Sequence, residues 1–222
     1  FILRRFRLKT YSPPPHFIFL PIGLLFGIIG AGLAGFVQMG VLEAFYFSVA
    51  KTLLYYGTTL AFILGIGAKL IAALLGWAAP PTHKMQPLNT ISKKNKKNYT
   101  PALLALFFVV GFLAEIFSFV IVGRLLIAST ASYIAVSNWR IFSLPRAKGK
   151  LSFWIWLACW LIVIGLWTHA LFPTLGVHAA HLIFISGFGL ITLMVASRVT
   201  LAHGGYDLRL ETHSRIFAIT GF

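Results

Sequence analysis

The side chains best suited to chemistry in this 222-residue sequence are seven histidines, one cysteine and four carboxylates. Neutral imidazole ligates haem iron and copper alike, so histidine spacing is the informative pattern. His178 and His181 are three residues apart, share a face on a helix and can point at one site. His169 precedes them across the short linker Pro173–Gly176, which makes the flanking helix ends neighbours. His203 follows His178 after almost seven whole helical turns and projects at nearly the same angle. Yet a continuous helix rises roughly 33 Å between His181 and His203, and a metal–nitrogen bond is about 2 Å. One ion cannot serve both. Two sites, one at each end of this helix, are the expectation.

In the first group, His178 and His181 suit copper chelation. Alternatively, one of them ligates a haem iron with His169 as the opposite partner, because two axial ligands must face each other across the ring. Glu115 is placed to accept an imidazole N–H there. In the second group, His203 pairs with His16, and Arg198 anchors a haem propionate or snorkels to the interface. For the isolated His16, His83 and His213, the competing reading is ordinary hydrogen bonding to headgroups or loops. Cys159, as the single cysteine, excludes an intrachain disulfide and a Cys-x-x-Cys-His haem attachment. Phosphate-binding Gly-rich loops, Ser-His-Asp order and paired carboxylates are not visible.

These residues are carried by apolar runs. Hydrophobic side chains make up 59% of the chain and charged ones 10%, with a mean hydropathy of +0.87. A soluble domain carries about 25% charged residues, so lipid must act as solvent. The net charge of +15 does not point to nucleic acid, because the basic residues sit in short segments between apolar runs rather than on one polar face. A helix crossing hydrocarbon needs roughly 20 apolar residues, and the runs are 17–39, 52–77, 102–123, 125–139, 151–172 and 177–202. Period-two alternation is absent over these lengths, which disfavours a barrel.

The expected fold is thus an all-α polytopic bundle of about six spans. A basic segment, 1–16, precedes it and a C-terminal segment, 204–222, follows. The positive-inside rule orients it with both ends cytoplasmic, since only Lys51 and Arg124 fall on the opposite side. His169, His178, His181 and Glu115 are then near the outer face, His16, Arg198 and His203 near the inner. The fourth run is short and bracketed by Arg124 and Arg140. Gly23 and Gly27 make a small-xxx-small spacing for close helix approach. The run of lysines at 92–98 reads as an orientation signal, Asn98-Tyr99-Thr100 as a glycosylation match discounted by its inner position, and the tryptophans as belt or packing. Starting at Phe1 and stopping soon after a span, the sequence reads as a fragment.

The last run resembles the NnrS family of polytopic bacterial membrane proteins. The likeness lies in His181-Leu-Ile-Phe-Ile-Ser-Gly-Phe-Gly189, continuing through Ser197-Arg198-Val-Thr-Leu-Ala-His203-Gly-Gly205, where the spacing of His181, Gly189, Arg198 and His203 agrees. Residues 53–76, with Tyr55-Tyr56-Gly57 and Gly65-Ile66-Gly67, are similar more loosely. Ser186 stands where members commonly have Gly, and Gly204-Gly205-Tyr206 replaces the usual Thr-Gly-Arg. The resemblance implies a bacterial inner-membrane protein holding haem and/or copper and acting in nitric oxide metabolism or nitrosative stress. It makes His181, Arg198 and His203 the residues to carry over. Members are longer, so further helices or subunits would complete the ligand set. Binding nitric oxide at an open haem position needs no catalytic acid, and no turnover is inferred. Two rivals remain: a proton-coupled transporter or channel using Glu115 and the histidines, and a structural or electron-transfer subunit of a respiratory complex.

Overall fold

The computed structural model of the chain describes residues 14–77, 99–147 and 150–205. The basic segment before Pro14, His83, the lysine run, Asn98 of the glycosylation match, His213 and the segment after Gly205 lie outside the described residues. Within them the chain is helical. Helices α1 (Pro15–Gln38), α2 (Phe45–Leu74), α4 (Val120–Trp139), α5 (Lys150–Leu171) and α6 (Pro173–Leu201, with helical turns to His203) are long and apolar enough to cross a bilayer. Helix α3 (Thr100–Ile116) is apolar but shorter. Hydrocarbon offers backbone groups no partner, so such runs close their hydrogen bonds internally and become helices. The chain is a multi-pass helical membrane protein.

The helices pair in chain order as three hairpins, α1 with α2, α3 with α4 and α5 with α6; α4 also packs on α5. Lipid tails are as apolar as leucine, so association relies on close packing rather than on expulsion of water. Small residues make that possible. A Cβ on Gly23 would stand 2.9 Å from the Cβ of Ala61, so the spacing noted in α1 does seat another helix, α2. On Gly123 it would sit 2.7 Å from the backbone nitrogen of Glu115, which locks α4 against α3. Phe19, Phe108 and Phe112 fill the space between α1 and α3, with ring centroids 5.5 Å (Phe19–Phe108) and 5.0 Å (Phe108–Phe112) apart.

Two boundaries differ from the sequence reading. Helix α3 stops at Ile116 and α4 begins at Val120, so Arg124 lies inside α4 and does not bracket it. The residues across this break are as apolar as the helices themselves, so hydropathy cannot mark it. What breaks the helix is Ser118, whose φ of 72° is left-handed. Helix α2 starts at Phe45, earlier than the apolar run, because Lys51 is accommodated on the surface over the Phe47 ring at 5.2 Å.

One end of the bundle is tied by neutral hydrogen bonds. The indole N–H of buried Trp139 donates to the Gly67 carbonyl at 3.0 Å, and Trp156 and Trp160 both donate to the Ile141 carbonyl at 2.7 and 3.1 Å. The Ser152 hydroxyl donates to the Leu74 carbonyl, and the Arg146 and Ala147 amides to that of Leu75. Arg140 and Arg146 lie over the Trp77 ring, 5.4 and 4.9 Å from its centroid. Gly76, at φ +81°, lets the Arg146–Ala147 backbone come close: a Cβ there would meet the Ala147 nitrogen at 2.6 Å. Trp139, Trp156 and Trp160, expected as belt or packing, thus act as hydrogen-bonding pins.

Candidate functional site

The opposite end carries the charge. Glu115, in the last turn of α3, and Arg124, in the second turn of α4, are nine residues apart across the Ser118 turn. That turn folds them together: Arg124 Nε donates to Glu115 Oε1 at 3.0 Å, with both side chains largely buried. Arg124 Nη1 also donates to the backbone carbonyl of His169 on α5, at 3.2 Å. Charge-assisted bonds of this kind are stronger than neutral ones, and inside a bundle neither charge is tolerable alone. Among the described residues this is the single ion pair.

The His169 ring lies flat against Tyr56 of α2, centroids 4.8 Å apart and planes 12° apart. Phe184 of α6 meets Tyr56 edge-on at 5.0 Å. Both partners come from widened, π-type turns, Thr52–Thr58 and Leu182–Gly189. Such turns change which side chains a helix presents and recur at functional sites. In the first, the Thr58 hydroxyl donates to the Leu53 carbonyl at 3.1 Å. Tyr56, Glu115, Arg124, Ile127, Leu166 and His169 enclose a free volume of about 10 Å³, the threshold for one water. Nδ1 of His169 is buried with no hydrogen-bond partner. On the other side of the ion pair, Ser48, Thr52 and Ser118 contribute hydroxyls to a cleft of about 250 Å³.

The residues singled out from sequence separate into three places. His169 and Glu115 come to one pocket, linked by Arg124. Glu115 Oε1 accepts from the Arg124 guanidinium, and among the described residues no imidazole N–H donates to this carboxylate. His178 and His181 are exposed, whereas Ala179 and Ile183 are fully buried, so the histidine pair turns outward on α6. His203 is exposed at the far end, Nδ1 2.9 Å from the Val199 carbonyl oxygen. A carbonyl only accepts, so Nδ1 is the donor in this contact and Nε2 is left for another partner. Arg198 is half-exposed beside it, and His16 is half-buried with its carbonyl close to Gly65 of α2. Among the described residues no group of three or more His, Cys, Asp or Glu side chains converges on one point.

Two members of the polar pocket, Tyr56 and Arg124, escaped the sequence reading as site residues. The available signal was an acid and a base nine apart inside otherwise apolar sequence, a spacing that pairs only if the chain turns between them.

As to a metal or haem, the donor sets differ in fitness. The pocket at His169 is a poor home for a cation, because the Arg124 guanidinium is there and the one carboxylate is already paired. The exposed His178 and His181 offer imidazole nitrogens of the type iron and copper take. His203 has the arrangement seen in metal-bound histidines, one nitrogen donating to a carbonyl and the other free.

Neither a curated protein nor a solved structure matches this chain. The NnrS protein family model matches residues 4–220, nearly its whole length, and the chain therefore belongs to the NnrS family.

Proposed function

We propose that this NnrS-family membrane protein serves the cell's response to nitric oxide by holding haem and/or copper, in the bacterial inner membrane with both ends cytoplasmic. What supports the reading is family membership together with the free Nε2 of His203. His181, with His178 beside it, would hold one group near the outer face, and His203 a second near the inner face. The bound metal would supply a coordination position at which nitric oxide ligates. The chain's own part is to present neutral imidazoles. The Val199 carbonyl keeps the Nδ1 proton of His203 in place, and the apolar helices keep bulk water away. Two or three imidazoles on one helix leave coordination incomplete, so other membrane subunits or further helices of a longer chain complete the set. The test is the optical spectrum of purified, unheated protein, with copper and iron analysis. A Soret band or stoichiometric copper, perturbed by nitric oxide and diminished in His181→Ala, is expected. A preparation with neither removes the reading.

A second reading, proton-coupled transport, is favoured by one observation. The unpartnered His169 Nδ1 faces a one-water void beside an intramembrane ion pair, where ionisable residues are costly and usually functional. Proton flux in liposomes that Glu115→Gln abolishes would support it, and flux indifferent to that change would dismiss it.

A further inference from the structure

The two helices that meet at Tyr56 and Phe184 run side by side away from that contact and leave a groove between them. It has a volume of about 360 Å³, within the ~300–1,000 Å³ range of ligand sites. Phe62, Ile66 and Leu70 of α2 line it opposite Thr192, Ala196 and Val199 of α6, and Thr192 supplies the sole polar side chain of the lining. Lys69 and Arg198 each stand one residue before the last turn of this lining. Lys69 is thirteen residues beyond Tyr56 and Arg198 fourteen beyond Phe184, so both lie roughly 20 Å below the contact, at one depth. Lys69 is exposed, Arg198 half-exposed, and neither has an acidic partner among the described residues.

We propose that this groove binds one anionic phospholipid, an acyl chain lying between α2 and α6 and the headgroup phosphate held by Lys69 and Arg198. The two features select the occupant jointly. A helix from another protein would fill the groove but leave two cations unanswered. A small soluble anion would answer the cations but leave the apolar groove empty. A second copy of this chain brings another net charge of +15 to a basic mouth. An anionic lipid meets both demands, since each Lys or Arg at a membrane surface attracts acidic headgroups. In this assignment Arg198 serves a lipid phosphate and not a propionate.

The experiment reconstitutes the full chain in nanodiscs of equal phosphatidylglycerol and phosphatidylethanolamine, then reads retained lipid by native mass spectrometry after detergent exchange. Retention of one phosphatidylglycerol is expected. Its preference should fall roughly fivefold for each of Lys69→Gln and Arg198→Gln. Ala196→Phe, which leaves both cations but fills the groove, should expel the lipid. Three results would overturn the assignment: equal retention of both lipids, retention unchanged in Ala196→Phe, or Ala196→Phe displacing a Soret-absorbing group or dissociating a dimer. Because the readout is lipid mass, its failure and the failure of the metal reading are separately visible.

Discussion

The two ends of the bundle solve the same problem with different chemistry. At the Trp139 end, backbone carbonyls take indole, hydroxyl and amide protons, and two arginines stand over one aromatic ring. At the Glu115 end, a carboxylate and a guanidinium hold three helices together, and a void remains beside them. Among the described residues, each end has one buried orphan donor or acceptor, the Trp77 N–H and the His169 Nδ1. The settings differ. Trp77 has two cations over its ring, whereas His169 borders free volume. Neutral pins hold a structure in one state. A charged pair beside a void can be re-partnered by water, a proton or a ligand.

Removing one charge should have the largest effect. Arg124→Ala leaves Glu115 alone inside the bundle and should cost about 3 kcal/mol, read by thermal unfolding in detergent. The double variant Glu115→Gln/Arg124→Gln should recover most of that loss. If the single and double variants are equally stable, the pair is not what closes this end. Next comes Trp139→Phe, which removes the indole bond to the Gly67 carbonyl in a dry core and should cost about 1.5 kcal/mol with cofactor content unchanged. A matching fall in bound metal would show that the pinned end is no mere clamp. The smallest change is expected at His169→Phe, which keeps the stack on Tyr56 and deletes the unpartnered nitrogen. Stability should move by no more than about 1 kcal/mol, and upward. A clear loss of stability would mean that Nδ1 has a partner, such as a trapped water.

Much of this was legible in composition. Twenty-odd apolar residues in a row become helices in hydrocarbon whatever their order, so each of the six runs coincides with a helix, the first, fifth and sixth to within four residues at both ends. The α3–α4 turn was not legible, because Phe117 and Phe119 are as apolar as their neighbours and only the left-handed Ser118 marks the reversal. That missed turn also hid the polar pocket, since Glu115 and Arg124 appear unrelated until the chain folds back. Helix periodicity put His178 and His181 on one face, and they share exposure. Periodicity could not tell which way that face turns. Burial of Ala179 and Ile183 against α5 decides it, and that is a property of the neighbouring helix.

The shortness of α3 has a mechanical consequence. Its 17 residues rise only about 25 Å, against a hydrocarbon thickness of ~30 Å. In a bilayer of that thickness the difference is expected to be taken up by thinning of the leaflet or by a dimple of water above the Ser118 turn. Such a dimple leads to the hydroxyl-lined cleft and shortens the path from bulk solvent to the Glu115–Arg124 pair. Wetting of that pair is then expected to depend on the thickness of the surrounding bilayer.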